Sequence, residues 1–142
     1  MINNQILQHL LGEWASSSTI YQFYPDGRYS QSFFYSSGNS YNPFLNTNSS
    51  DFSSSETLSY TEGEFELHDN IIIFHQQRGE YRRKDAYGPE VVSPAEQKDF
   101  AKAFGFAQER EEYTGELQDC LYLRDEEGYE TRLVKNNITN MR

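Results

Sequence analysis

Aromatic side chains are the residues of this sequence best suited to hold a small molecule. The chain has 11 Tyr, 10 Phe and one Trp among 142 residues. Rings offer a large apolar area, and tyrosine hydroxyls orient a ligand by hydrogen bonds. The candidates for a pocket wall are Trp14, Phe23, Tyr29, Phe33, Phe65, Tyr81 and Tyr113. Because aromatic residues also favour strands, the alternative is that the same rings fill a solid core.

Three further residues are candidates for the polar end of such a ligand. Arg83 shares a predicted strand face with Tyr81, and Arg132 lies in the last predicted strand. A guanidinium group binds an anion through two hydrogen bonds and stays charged when partly buried. His75 follows an isoleucine-rich strand, where a neutral imidazole can act as acid, base or ligand. The alternative for the two arginines is pairing with surface carboxylates, and the alternative for His75 is a satisfied structural histidine.

The sequence shows no recognisable catalytic or metal-binding motif. It contains no nucleophile elbow, phosphate loop, dinucleotide fingerprint or HExxH motif. Cys120 is the single cysteine, and His9, His68 and His75 lack the spacing of metal ligands. We therefore predict no catalytic residues, no metal site and no cofactor, and we expect binding rather than catalysis.

The charge balance narrows the range of partners. Asp and Glu number 22 against 12 Lys and Arg, which gives a formal net charge of −10. Nucleic acids and anionic membranes bind basic surfaces, so neither is an expected partner, whereas a basic protein is compatible. The chain shows no signal peptide and no apolar run near the roughly 20 residues that span a bilayer. We expect one domain over residues 1–142, located in the cytoplasm.

Short strands joined by tight turns must position these residues. Pro25, Asp26 and Gly27 separate an arm that runs from Gly12 to Tyr24 from a second arm with alternating aromatic and polar residues. Proline presets φ and glycine accepts a positive φ, so an antiparallel hairpin is predicted there. Further strands are predicted at residues 57–67, 71–75, 79–84, 113–117, 120–124 and 129–135. This meander predicts an all-β fold, an eight-stranded antiparallel up-and-down barrel.

Two helices are predicted beside the strands. A short N-terminal helix, with an apolar stripe from Ile6 to Leu11, should end at Gly12 and close one end of the core. A second helix is predicted between the fifth and sixth strands, because Ser93 and Glu96 have the spacing of a capping box. Its apolar stripe would be Phe100, Ala103, Phe104 and Ala107.

One long segment has no predicted helix or strand. It runs from Ser36 to Glu56 and is rich in Ser and Asn, with a few aromatic residues scattered through it. A loop of about 20 residues is typical of a lid, a binding loop or a disordered segment. We interpret it as a lid, a docking loop or a disordered segment, and the sequence leaves the three open.

The ends of the meander carry a resemblance to a known superfamily. A short helix that runs into Leu11-Gly12-Glu13-Trp14 resembles the calycin superfamily, which includes lipocalins and fatty-acid-binding proteins. The resemblance implies a lipocalin-like barrel whose base is closed by Trp14, with Arg132 packed over it. In fatty-acid-binding proteins the closing strand looks like Thr-Arg-x-Tyr, and the arginine and tyrosine hold a ligand carboxylate. Here Thr131-Arg132-Leu133-Val134 keeps the arginine and lacks the tyrosine.

Three functions remain open from the sequence. The leading hypothesis is a carrier that binds a small apolar or amphipathic molecule in a barrel cavity lined by aromatic residues. The first alternative is an acidic protein-interaction module of the inhibitor or immunity type, with a filled barrel. The second is a calycin-type cyclase or isomerase with His75, Tyr81 or Glu130 as acid–base groups. We rank the enzyme last, because no catalytic constellation is visible.

Overall fold

Strands with alternating buried and exposed side chains form one nine-stranded antiparallel sheet. The computed structural model describes residues 4–37, 55–85 and 88–136. The elements are α1 (Asn4–Leu10), β1 (Gly12–Ala15), β2 (Thr19–Phe23), β3 (Arg28–Ser37), β4 (Ser55–His68), β5 (Ile71–Asp85), β6 (Val91–Pro94), β7 (Lys98–Arg110), β8 (Leu117–Arg124) and β9 (Glu130–Lys135).

Eight of these strands close into a barrel. β4 pairs with both β3 and β5, and β1 pairs with both β2 and β9, so the sheet returns to its first strand. The barrel order is β1-β2-β3-β4-β5-β7-β8-β9, and β6 pairs with β5 at residues 80–83, outside the ring. The predicted all-β fold with a closed eight-stranded barrel and a short N-terminal helix is confirmed. Within the described ranges, no helix is long and apolar enough to cross a membrane.

The predicted helix between the fifth and sixth strands is wrong. The proposed cap, Ser93, lies in β6, and the proposed helical stripe lies in β7. β7 pairs with β5 along one edge and with β8 along the other, so a helix here would leave both neighbours without hydrogen-bond partners. Phe100 and Phe104 have a spacing that fits a helix face and a strand face equally well, because four residues satisfy both periods.

Two other predicted boundaries differ from the structure. The arm from Gly12 to Tyr24 is two strands, β1 and β2, which reverse where Ser16 Oγ accepts a hydrogen bond from the Thr19 amide at 3.3 Å. The predicted strand at residues 113–117 is wrong except for Leu117, which begins β8. The residues before it form a turn closed by Glu111, whose carboxylate accepts hydrogen bonds from two backbone amides. Residues 38–54 of the predicted long loop lie outside the described residues, and its ends belong to β3 and β4.

The core fills the end of the barrel next to α1. Trp14 is fully buried, and its Nε1 donates a hydrogen bond to the Leu10 carbonyl at 2.7 Å. Lys135 Nζ lies 4.7 Å from the centre of the Trp14 ring and donates to the Leu11 carbonyl. Lys135 therefore occupies the place that the calycin resemblance assigned to Arg132. Other core residues are Tyr21, Phe23, Tyr29, Phe65, Leu67, Ile72, Phe74, Leu121, Leu123 and Leu133.

Candidate ligand-binding cavity

The other end of the barrel is open. A cavity of about 680 Å³ lies against the first residues of β7, whereas α1 packs on the distant part of that strand, with His9 4.3 Å from Phe106 between ring centres. Strands β3, β4 and β5 supply one wall of the cavity, and the turn between β8 and β9 supplies its acidic rim. The lining residues are Gln31, Phe33, Ser59, Thr61, Gln76, Tyr81, Lys98, Asp99, Phe100, Ala101, Lys102, Asp125, Glu126 and Glu127.

A bulge in the longest hairpin shapes this wall. β4 and β5 pair along their whole length, and the register shifts where Gly63 faces Gln76 and Glu62 faces Arg78. The extra residue on β5 keeps Gln76 and Tyr81 on the cavity face although they are five positions apart. Without the bulge, one of these two side chains would point out of the barrel.

Polar groups are buried at the bottom of the cavity. Thr61 is 4% exposed and Gln76 is 5% exposed. The Gln76 side-chain amide donates to the Glu96 carbonyl at 2.8 Å, but Thr61 Oγ1 has no hydrogen-bond partner. The hydroxyl of Tyr29, a core residue, is also buried and unpartnered. A buried polar atom without a partner costs about 1–3 kcal/mol, so a bound group that pairs with the Thr61 hydroxyl in the cavity lining would be stabilising.

Lys102 is the cation that projects into the interior from β7. It lies opposite Ile72 in the register, on the face that Phe100 and Phe104 share. Its Nζ donates to the Tyr21 hydroxyl at 3.5 Å and lies 5.9 Å from the centre of the Phe100 ring. Burial lowers the pKa of the Lys102 amine, and Asp125 acts in the opposite direction. Burial also favours the neutral form of Tyr21, so it raises the pKa of this hydroxyl, which stays protonated.

Carboxylates surround the opening. Asp125, Glu126 and Glu127 lie in the β8–β9 turn, where Asp125 Oδ1 accepts hydrogen bonds from the amides of Glu127 at 2.9 Å and Tyr129 at 3.0 Å. Lys98, also at the rim, has its Nζ 4.0 Å from a carboxylate oxygen of Glu96. The cavity thus combines lysine amines with an acidic entrance. The negative potential of the entrance carboxylates disfavours the entry of small free anions.

The structure brings two of the sequence candidates into the cavity wall. These are Phe33 and Tyr81. Four others are core residues at or below the cavity floor: Trp14, Phe23, Tyr29 and Phe65. Tyr29 contacts the core ring of Phe74 edge-on, with 4.8 Å between the centres.

The remaining four candidates lie outside the cavity. Tyr113 is 90% exposed in the β7–β8 turn. Arg83 lies beyond the cavity on β5, where its Nε is 3.3 Å from a carboxylate oxygen of Asp85. The other two, His75 and Arg132, lie on the outer surface of the barrel.

These two outer residues have carboxylate partners. His75 Nδ1 is 2.9 Å from Asp99 and its Nε2 is 2.5 Å from Glu66, and the two hydrogen bonds raise the pKa of the imidazole. The guanidinium of Arg132 is 2.8 Å from Glu109, which accepts a further hydrogen bond from Tyr122. His75 joins β5 to the neighbouring strands β4 and β7, and Arg132 joins β9 to β7 across β8.

Sequence reasoning missed the polar residues of the floor. Thr61, Gln76 and Lys102 were not candidates, although β7 reads Phe-Ala-Lys-Ala-Phe-Gly-Phe from Phe100 to Phe106. Alternation of large and small residues is the signal that would have predicted a strand with Lys102 on its inner face. No comparable signal identifies Thr61 or Gln76, because their burial depends on the pairing of β4 and β5.

The described residues offer no metal centre, and comparisons with known proteins add no assignment. In the described parts of the chain, no group of three or more His, Cys, Asp or Glu side chains is placed to hold a metal ion. No protein-family model, curated protein or solved structure matches the chain.

Proposed function

We propose that this protein binds a small amphipathic molecule in the open end of its barrel. The observation that carries the proposal is the unpartnered, buried hydroxyl of Thr61 in the wall of a cavity of about 680 Å³. Ligand cavities in proteins have volumes of about 300–1,000 Å³ and few, well-placed polar groups. A ligand oxygen or nitrogen at Thr61 would remove the cost of the unpaired hydroxyl.

The side chains of the cavity wall indicate the orientation of the bound ligand. Phe33, Tyr81 and Phe100 offer ring surface to an apolar or aromatic portion. Gln31, Thr61 and Lys102 offer hydrogen bonds to a polar end that enters first. The acidic rim favours a neutral or cationic molecule over an anion. A calycin-type carrier fits this arrangement, and we extend the proposal to that superfamily on the closed barrel, the N-terminal helix and buried Trp14.

Filling the cavity tests this proposal. Ser59 lines the cavity, whereas Ser32 on the adjacent strand β3 is opposite Tyr60 and faces outward. We expect Ser59→Trp to abolish retention of the co-purified small molecule and Ser32→Trp to leave it unchanged. The measurement is native mass spectrometry of each variant purified from the protein's own host, compared with the denatured mass. Equal retention by both variants would refute the cavity as the binding site.

A second candidate function is a protein-interaction module. The outer face of the adjacent strands β2, β3 and β4 carries large apolar residues, each 42–48% exposed. They are Ile20, Phe34, Leu58 and Tyr60. Contiguous exposed apolar surface is typical of partner-binding sites, and the net charge of −10 suits a basic protein. Under this function Leu58→Asp would abolish a stoichiometric endogenous complex seen by size-exclusion chromatography, and small-molecule retention would not change.

The enzyme alternative gains no support from the arrangement. Tyr81 lies in the cavity wall, but His75 is on the outer surface and Glu130 begins β9 with an exposed side chain. Glu130 is 3.5 Å from Arg124 across the β8–β9 pair. The three proposed acid–base groups therefore do not converge on one substrate position.

A further inference from the structure

Lys102 is the half-buried lysine of the cavity lining, whereas Lys98 in the same lining is exposed. Lys102 lies on the inner face of β7, and its hydrogen-bond partner is the neutral hydroxyl of Tyr21 at 3.5 Å. In the described part of the chain, no carboxylate oxygen lies within 4.0 Å of Nζ. Burial lowers the pKa of this amine because an ammonium ion is costly to remove from water, while the carboxylate of Asp125 acts in the opposite direction.

Two other lysines show the contrast. Lys98 has 48% of its side chain exposed and a carboxylate of Glu96 at 4.0 Å. Lys135 donates to the backbone carbonyls of His9 and Leu11 and lies over the Trp14 ring, at the closed end of the barrel. Burial lowers the pKa of the Lys135 amine too, but this residue is not in the cavity lining. Lys102 combines a half-buried amine with access to the cavity.

We infer that Lys102 forms a reversible imine with a ligand that carries an aldehyde or ketone group. This inference rests on the proposed function, because the ligand must occupy the same cavity. Lysine amines whose charge is disfavoured by burial are the ones that act as nucleophiles toward carbonyl groups. The unpartnered Thr61 hydroxyl in the same cavity is an independent sign that a ligand oxygen belongs there.

The reaction balances without any oxidant or reductant. The Nζ lone pair attacks the carbonyl carbon, and a proton moves from nitrogen to oxygen to give a carbinolamine. The carbon–oxygen bond then breaks, and the oxygen leaves with the second nitrogen-bound hydrogen as water, which leaves a C=N bond between ligand and Lys102. Hydrolysis reverses both steps. The Tyr21 hydroxyl, kept protonated by burial, is placed to donate to the departing oxygen.

The wall also selects the class of carbonyl compound. The ring of Phe100 lies beside Lys102, and Phe33 lines the same cavity, so an aromatic or conjugated carbonyl compound would gain apolar contacts. Asp125, Glu126 and Glu127 at the rim oppose a carboxylate or phosphate on the ligand. A neutral aromatic aldehyde such as cinnamaldehyde is therefore a suitable probe.

Reductive trapping tests the inference on the full-length protein. Cinnamaldehyde is added with sodium cyanoborohydride, which reduces an imine to a stable secondary amine, and the labelled residue is located by peptide mass spectrometry. We expect one adduct per chain, at Lys102. Labelling should be lost in Lys102→Met and in Lys102→Arg, which keeps a positive charge. It should be retained in Lys84→Met, because Lys84 is exposed on β5 and does not line the cavity. Circular dichroism checks that each variant is folded.

The outcomes separate this inference from the function on which it rests. Label spread evenly over the lysines, or a folded Lys102→Arg variant that still takes up one adduct per chain, would overturn the imine. If native mass spectrometry shows a retained ligand that Ser59→Trp abolishes, but Lys102 is not trapped, the imine fails and the carrier function stands. If Lys102 is trapped equally in Ser59→Trp and in the unchanged protein, the cavity is not the site and the proposed function fails.

Discussion

Individual polar atoms distinguish the open half of the barrel from its closed half. At the closed end, Trp14 Nε1 has the Leu10 carbonyl as a partner, and Lys135 Nζ has the Leu11 carbonyl. At the open end, Thr61 Oγ1 is buried without a partner, and the Lys102 amine has a neutral phenol at 3.5 Å. Unpaired polar atoms reduce stability, so their grouping around one cavity is typical of a site adapted to a ligand.

Removing the Thr61 hydroxyl should improve stability and impair binding. Thr61→Val keeps the branched shape and eliminates the unpaired oxygen, so we expect the free energy of unfolding of the ligand-free protein to rise by about 1–3 kcal/mol. Retention of the ligand should fall at the same time. Thr57→Val, on the same strand but with a less buried side chain, should change stability by less than about 0.5 kcal/mol. Urea denaturation measures both variants, and a destabilised Thr61→Val protein would contradict the account.

His75 should make stability depend on pH. Hydrogen bonds that the imidazole donates to the carboxylates of Asp99 and Glu66 raise its pKa above the ordinary value of 6.5. The charged form is therefore favoured in the folded state, and its stabilisation is complete below that ordinary value and disappears as pH rises through the raised pKa. The pKa of Glu66 is lowered mainly by its hydrogen bond to His75, so its contribution is lost as the solution becomes strongly acidic.

The test compares the urea midpoint of the protein with that of His75→Gln between about pH 5 and about pH 9. We expect the midpoint of the unchanged protein to fall as pH rises through the raised pKa, and this fall to be much smaller in His75→Gln. Parallel curves for the two proteins would show that the contacts with Asp99 and Glu66 do not stabilise the fold.

At the scale of elements, β7 shows what a single sequence can and cannot specify. Residues 93–96 satisfy a helix cap, and Phe100 and Phe104 satisfy a helix face, yet the segment pairs with β5 and β8. The exposed edges of those neighbours override local preference, because an unpaired edge leaves many backbone groups without partners. The turn at Gly27 was predictable, because its φ of +88° depends only on local sequence and glycine adopts a positive φ without steric cost.

Close backbone contact between β4 and β5 makes Gly63 sensitive to substitution. A Cβ at Gly63 would lie 1.9 Å from the carbonyl oxygen of His75, and one at Gly79 would lie 2.2 Å from the carbonyl oxygen of Tyr60. Gly63→Ala should therefore force the strands apart at the bulge and lower the free energy of unfolding by about 3 kcal/mol.

Gly105 provides the matched control on β7. A Cβ there would meet no atom within 4 Å, so Gly105→Ala should be neutral or stabilise the strand by about 0.5–1 kcal/mol. Chemical denaturation of both variants gives the comparison. Equal effects of the two substitutions would mean that the spacing of β4 and β5 is not as close as described.

At the scale of the whole molecule, the closed eight-stranded barrel was predictable, but its strand inventory was not. The prediction merged β1 with β2, divided β5, replaced β7 by a helix and counted the 113–117 turn as a strand. These errors cancel in the number of barrel strands. Turn signals and alternation identify a meander, but pairing across the barrel decides where each strand ends. Lys102 was missed for the same reason, since its position inside the barrel follows from the pairing of β7.

The two ends of the barrel differ in how they are filled. Rings and α1 fill one end, with Leu10 and Trp14 fully buried, and extended β3, β4 and β5 build the wall of the open end. A solid end supplies stability, and an open end is free to hold a molecule. This division accounts for the aromatic content of the sequence without placing every ring in the site.

The central claim is that the open end of the barrel holds a small amphipathic molecule against Thr61 and Lys102. The most direct measurement is a high-resolution crystal structure of the protein purified from its own host. We expect continuous non-water density in the cavity, with a polar atom of the ligand within hydrogen-bond distance of Thr61 Oγ1. A cavity that contains only ordered water, or one filled by the protein's own side chains, would contradict the claim.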